Sequence, residues 1–598
     1  MILNFIAFVL QLCTAAGLLL VMDMQGQISV SFGFIVLSVI TGAGFKAKYD
    51  FFSGLIDTGR KRLIFFLMLL YTDFSIVGNR AVVYPIGNIL SVKDIIVLLL
   101  GFIWSFQLLL TAFYYFYRLS LLVRKKGNIC IKQPVLFIVI ISLIVMLPLA
   151  VSLIAFNPGI SDSDSSYSIY FANHLRYCID WFPPFYYMYL RGILTFVDSI
   201  YAVVIAQWLF FDLVVLEYAF LARKAGMSDI CIFLVTALVS LNPANFLNLN
   251  SIWKDAPYVC SILWLTAALI KVHFKIDRGE KVGKEPYVEI ALALVCTWFF
   301  RKNGIIPVLL TVPVILFFYR KEKKVYITCI CAFLVILFIQ TVVYDALNVR
   351  DYREDVEKQG DAFVGLGQDI LGVYYAGGEL SEASLDIVRQ LTKEPDEYDY
   401  LPTYYKDWKS DMDIEIGRFI MCYIDTFFHN PVKLADAVFC RNDGIWAIYH
   451  GDFGDVVVIG YHGQADGESV GGMNYIYDKD GNRVEDKWND YAPAHKDVFL
   501  TGIVSALTDI TANIELIKII IWRSGLHVWV LLVSAVFTVL KKRNLIPVYI
   551  PLLGHILSLV LACGWAVYRY YWPINLLCVV LFFMNVLKST ELKTDDQF

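Results

Sequence analysis

Charge is what this chain has least of. Only 17% of its 598 residues are charged, and eight are histidine. The formal net charge of −4 offers no basic stripe for a nucleic-acid backbone, so nucleic acid is not an expected partner. No GxxxxGK[ST] loop occurs, so no nucleotide-binding P-loop supplies energy from the cytoplasm. The twelve cysteines form no CxxC pair and no Cys/His cluster, which argues against structural zinc. Cys422 and Cys440 share the one long polar region and are read as buried thiols on helices rather than as a disulfide. The start of the chain lacks a basic n-region and a small-residue cleavage site. Residues Ile2 to Met22 are therefore read as a first membrane helix, not a cleaved leader.

What is abundant is apolar: 58% of residues are hydrophobic, 15% are aromatic, and the mean hydropathy is +0.62. A spanning helix needs about 20 apolar residues. Windows of this kind predict about fourteen spans, near 2–22, 28–41, 63–78, 95–117, 134–156, 192–222, 229–246, 256–272, 287–300, 304–319, 325–343, 524–540, 545–565 and 570–587. The fold class expected is mainly α: a polytopic transmembrane helical bundle with an extracytoplasmic α/β domain.

Orientation follows from lysine and arginine. With the N-terminus in the cytoplasm, basic residues gather in alternate loops, as in Arg60-Lys61-Arg62, Arg124-Lys125-Lys126, Arg320 to Lys324 and Lys541-Lys542-Arg543. The short loops on the other face hold only Arg80, Lys93, Arg176, Arg191, Lys254, Arg301, Lys302 and Arg569. Both termini are then cytoplasmic. Three regions result: a transmembrane module at 1–343 with an outer loop at 157–191, an extracytoplasmic domain at 344–523, and C-terminal helices with a short tail at 524–598.

The outer domain holds more than half of the chain's Asp and Glu. Its sequence predicts a helix capped by Ser381, and another over Asp413 to Phe428 with Ile416, Phe419, Ile420, Tyr423 and Phe427 along one stripe. A further helix opens at Asn430-Pro431. A buried strand is expected at 455–461 and a hairpin turning at Asp480-Gly481.

The loop at 157–191 carries Asp162, Asp164 and Asp180, followed by Trp181-Phe182-Pro183-Pro184. Carboxylates beside apolar spans are costly and mark functional candidates. On the same face, Lys254 and Asp255 open a span, Arg301 and Lys302 sit in the turn FFRKNGIIP, and Arg569 and Tyr570 precede the last span. Each cation alone is equally readable as a snorkelling or interfacial anchor. Together they suit an enzyme that acts on a lipid-linked anionic substrate. Arginine and lysine would hold phosphate, and a carboxylate would take a proton from an acceptor hydroxyl. Asp198, Asp212 and Glu217 lie inside the sixth expected span, which instead favours a transporter or flippase.

Several pieces, in this order, resemble the GT-C class of integral membrane glycosyltransferases, and most of all a bacterial branch associated with cell-surface polysaccharides. They are Asn157-Pro158-Gly159, Asp164-Ser165, Asp180-Trp181-Phe182-Pro183, Asn242-Pro243 with Trp253-Lys254-Asp255, Arg301-Lys302-Asn303-Gly304, residues 367–381, Asn430-Pro431 with Arg441 to Trp446, and Arg569-Tyr570. Phe182 stands where that pattern shows histidine.

The resemblance implies a bacterial plasma-membrane protein that moves a sugar from a polyprenyl-phosphate donor to a glycan or lipid-linked acceptor, with inversion. Asp164 would be the general base, with Asp162 the other candidate. Lys254, Asp255, Arg301, Asn303, Arg569, Tyr570 and Trp181 would bind substrate. Asp162 and Asp164 could also offer ligands to a divalent metal such as Mg or Mn, although two carboxylates are few for such a site. A polysaccharide polymerase or ligase is the chemically nearest alternative.

Overall fold

The computed structural model describes residues 2–21, 28–81, 92–123, 131–160, 163–176, 178–351, 364–392, 400–403, 415–448, 473–477, 483–487, 498–540, 545–564 and 566–590. Helices dominate. Among the described residues seven are long and apolar enough to cross a membrane, the longest being Val92–Val123 at 32 residues. Three bent pairs raise the number to ten if each is one span. The protein is therefore a mainly α, multi-pass membrane protein.

Not every expected span is a full-length helix. Ile305–Phe318 has 14 residues and Ile546–Ala562 has 17, both short of the roughly 20 that a bilayer core requires. The span expected over 229–246 breaks in two. Asp229–Ser240 ends, the chain bends by 62°, and Pro243–Asn250 begins. The cause is local. Proline cannot continue a helix from the preceding turn, and Asn242 caps the new one, its Oδ1 accepting from the Ala244 amide at 3.0 Å.

Apolar side chains outside the core, such as Leu143, Leu147 and Leu238, face outward on these helices, as a lipid environment permits. Some polar groups inside the bundle are paired across helices. Ser142 donates to Asp212 at 2.7 Å. Lys271 lies 2.7 Å from both Glu217 and Glu289. Of the carboxylates expected inside the sixth span, Asp212 and Glu217 thus have partners on neighbouring helices, while Asp198 lies in the break between Pro184–Phe196 and Ile200–Lys224.

Between the spans and the last helices, the described residues form short helices plus one hairpin, in which Met473–Tyr477 pairs antiparallel with Arg483–Lys487. This two-stranded ribbon does not amount to an α/β domain. The strand expected at 455–461 and the hairpin's turn residues lie outside the described residues.

The helices have their own small core of Ile370, Leu371, Ile387, Val388, Leu391, Phe419 and Cys422. Ser381 caps Glu382–Leu391 as expected, accepting from the Ser384 amide at 3.3 Å. Asn430 stands at the N-cap of Pro431–Arg441 as expected, but its side chain makes no cap bond. It bonds the backbone of Glu379 instead, accepting at 2.9 Å and donating at 2.7 Å. The stripe expected on Ile416–His429 is also corrected. Its buried face is Phe419, Cys422 and Thr426, while Ile416, Ile420 and Phe427 are exposed. Cys422 and Cys440 are both buried free thiols.

A buried ion pair ties this region to the membrane helices. Arg441 grips Asp369 with two nitrogens, at 2.7 and 2.8 Å. It also donates to the carbonyls of Val560, at 2.7 Å, and Cys563, at the end of Ile546–Ala562. The stretch 498–521, expected in the polar domain, is apolar helix. Val498–Asn513 rests on the end of Pro134–Ala155, where Thr501 donates to the Ala155 carbonyl at 2.6 Å.

Candidate active site

Two backbone seams build the site. The first joins the 157–160 loop to the end of Pro243–Asn250. The Ile160 amide donates to Asn250 O at 2.9 Å, and the Ile252 amide returns a bond to Ile160 O at 3.1 Å. Gly159 allows the approach. Its φ is +147°, and a Cβ there would stand 3.2 Å from the Asn250 carbonyl. The Pro243–Asn250 helix is wholly buried. Polar bonds fix it: Trp572 donates to Asn245 at 2.7 Å, Trp208 donates to Asn250 at 3.0 Å, and Gln207 donates to the carbonyls of Leu249 and Ser251 at 3.1 and 3.0 Å. The second seam pairs Ile179 with Arg350. The Asp180 amide donates to Arg350 O, and the Arg350 amide donates to Cys178 O, each at 2.9 Å.

Four distant pieces of chain meet beside these seams. Asp164 sits in the first turn of Ser163–Asn173, where the exposed amides of a helix N-terminus favour a carboxylate. Arg569 donates to its Oδ2 at 2.8 Å, and the Lys254 ammonium is 4.0 Å away. Asp255, next in the chain, is buried with Arg301 at 2.7 Å. Lys302 lies 3.6 Å from Asp180.

Aromatic rings complete the cradle. Lys254 Nζ stands 3.4 Å from the centroid of Phe182, close enough for a strong cation–π contact. Arg569 lies 5.1 Å from the Trp253 ring, and Tyr570 sits between Arg301 at 4.6 Å and Arg569 at 5.2 Å. Beneath Arg301, the Tyr258 hydroxyl meets His555 Nδ1 at 2.9 Å, and His555 Nε2 meets the Tyr570 carbonyl at 3.0 Å.

Burial pushes the Lys254 ammonium down to about 8. The carboxylates of Asp164 and Asp255 work against that shift, and the guanidiniums of Arg569 and Arg301 add to it. All four charged neighbours therefore act on one lysine.

Of the residues expected at the site, Asp164, Lys254, Asp255, Arg301, Arg569 and Tyr570 converge. Asn303 lies in the Lys302–Gly304 turn after Arg301, and its buried side-chain oxygen accepts no hydrogen bond among the described residues. Trp181 packs beside Phe182, with centroids 6.0 Å apart, and against the apolar core under the loop. Asp162 lies outside the described residues.

Phe182 and Trp253 lie in the quoted motif pieces, but their roles as cation partners are additions. His555 is a further addition, and a lone histidine in the apolar run IPVYIPLLGHILSLVLA is a visible signal for it. Among the described residues no group of three or more His, Cys, Asp or Glu is placed to hold a metal. The described donor set does not fit a divalent cation, because Asp164 is flanked by Arg569 and Lys254, which repel one.

Neither the protein-family models nor the curated proteins searched contain a match to this chain.

Proposed function

We propose that this protein is a membrane glycosyltransferase of GT-C type. On this reading it takes a sugar from a polyprenyl-phosphate donor and passes it, with inversion, to a glycan or lipid-linked acceptor on the outer face of a bacterial plasma membrane. The observation that carries the reading is one carboxylate, Asp164, held by Arg569 at 2.8 Å and Lys254 at 4.0 Å in an aromatic-lined site at the end of apolar helices. A base beside phosphate-binding cations is the minimum that such a transfer needs.

In the proposed step, Asp164 accepts the proton of the acceptor hydroxyl. The hydroxyl oxygen attacks the anomeric carbon from the face opposite the leaving group. The bond from that carbon to the phosphate oxygen breaks, and the electron pair leaves on polyprenyl phosphate. Arg569, Lys254 and Arg301 offset the charge that develops there. Asp255 holds Arg301 in place, and Tyr570 keeps the two guanidiniums apart. Phe182 and Trp253 orient Lys254 and Arg569. The fourteen-span topology, both termini in the cytoplasm, and an outer domain that covers the site and selects the acceptor belong to the same proposal.

A flippase of lipid-linked saccharides is the second reading. The charged set Glu217, Lys271 and Glu289 on three apolar helices favours it. A polysaccharide polymerase or ligase shares the outer-site chemistry and differs in using a longer glycan donor.

The purified protein in liposomes, given a panel of polyprenyl-phosphate sugars and lipid-linked oligosaccharides, separates the three. Glycosidic-bond formation from a single-sugar donor, with inverted anomeric configuration, supports the first reading. Leaflet exchange of lipid-linked saccharide without bond formation refutes it in favour of the second. Transfer from oligosaccharide donors alone refutes it in favour of the third.

A further inference from the structure

The helix Ile416–His429 carries two apolar faces. One, Phe419, Cys422 and Thr426, is buried in the small helical core. The other is open: Ile416, Ile420, Met421, Ile424, Phe427 and Phe428 are exposed, Phe428 by 73%. At 100° per residue these six cover an arc of roughly 140° on one side of the helix. The polar residues Arg418, Asp425 and His429 fill the narrow arc that remains. Arg418 reaches Asp386 at 2.5 Å, and Asp425 pairs with His429 at 3.2 Å. The next helix, Pro431–Arg441, continues the open face with Val432 and Phe439, seven residues apart and so on one side.

This surface does not stop at the helix pair. Phe439 lies 5.5 Å from Phe74, which stacks on Trp446 at 4.5 Å. Phe74 is the end of a stripe on the helix Gly59–Ala81, where Leu63, Phe66, Leu67 and Leu70 face outward. The apolar face of the 416–441 hairpin is thus an extension of a face already turned to lipid. It bends off that face at the end of the bundle that holds the charged site, since Gly444 packs on Tyr571, two residues beyond Arg569. A contiguous exposed apolar patch of this kind marks an interaction surface. A helix with one wide apolar arc and a narrow polar one matches an element lying in the plane of a leaflet.

We infer that Ile416–His429 and Pro431–Arg441 lie in the membrane interface on the side of the charged site, with Ile420, Ile424, Phe427, Phe428 and Val432 embedded among acyl chains. The occupant of the face is phospholipid, not a second copy of the chain. Arg441 grips Asp369 and the carbonyls at the end of Ile546–Ala562. The embedded hairpin would therefore hold the small helical core down against the bundle near the site.

A benzoylphenylalanine placed at Ile420, Phe428, Arg418 or Leu67, one at a time, tests this in lipid nanodiscs under near-ultraviolet light. All four side chains are off the core except at their stems, so folding should survive; elution as a monodisperse peak confirms it for each variant. Intact mass should show phospholipid adducts at 420 and 428 with yields close to those at Leu67, and several times those at Arg418. Adducts of twice the chain mass at 420 or 428 would overturn the inference in favour of a self-interface. Lipid adducts at Leu67 but none at 420 and 428 would overturn it outright.

Discussion

The pairing of Asp164 with Arg569 and Lys254 makes a prediction that separates catalysis from binding. If the two cations are the phosphate site, the Asp164 carboxylate competes with the donor's phosphate for them. Replacing it by asparagine keeps the shape and removes the charge. Two unit charges 4 Å apart interact by about 4 kcal/mol at an effective dielectric of 20. Asp164 is 27% exposed and both cations 14%, so solvent screens much of this. A net gain of about 1–2 kcal/mol for an incoming anion remains, or roughly ten-fold tighter binding.

The assay is titration calorimetry with a short polyprenyl phosphate, at low salt, on the wild type and Asp164→Asn. The variant is expected to bind several-fold to ten-fold tighter while its sugar transfer falls away. Unchanged or weaker binding would refute the reasoning, because it would show that Asp164 shapes the site instead of competing for it.

Other expectations follow from the same geometry. The Lys254 ammonium, pushed down to about 8 by burial, loses its proton as pH rises through that value. Donor affinity should then fall between about pH 7 and 9, and Lys254→Arg, which stays charged, should move that limb well above pH 9. Asp369→Leu or Arg441→Leu alone leaves a buried charge unpaired and should cost about 3–5 kcal/mol in thermal or denaturant unfolding. The double variant should recover much of that loss, and two additive losses would count against the pair as described. A Cβ on Gly304 would lie 1.9 Å from the Thr297 carbonyl. Gly304→Ala should therefore cost about 3 kcal/mol by overpacking and disturb Arg301, read as a lower melting temperature with weaker donor binding.

Several parts of this arrangement are legible in the sequence. Lys254, Arg301 and Arg569 stand out because cations at the ends of apolar spans are few on one face, and their convergence on Asp164 and Asp255 matches that signal. The break at Asn242-Pro243 was present as a cap followed by proline, yet the hydropathy of 229–246 runs through it and masks the bend. At 305–318 and 546–562 the helices expected from hydropathy are present but short, because short helices are as apolar as long ones.

The apolar stripe expected on Ile416–His429 divides in the fold, with Phe419 buried and Ile416, Ile420 and Phe427 exposed. Two apolar arcs on one helix look alike in sequence, and only packing decides which is buried. Phe182 and Trp253 were invisible as cation partners. A ring above an ammonium is a matter of distance between segments about 70 and 300 residues apart, which no local pattern encodes.

The central claim is that Asp164 is the base of a sugar transfer whose leaving phosphate is held by Arg569 and Lys254. Transfer from a polyprenyl-phosphate sugar by purified wild type, Asp164→Asn and Asp164→Glu, measured beside donor binding, tests it most directly. The account predicts transfer by the wild type, partial transfer by the glutamate variant, and loss with the asparagine variant while donor binding strengthens. Undiminished transfer by Asp164→Asn would contradict it.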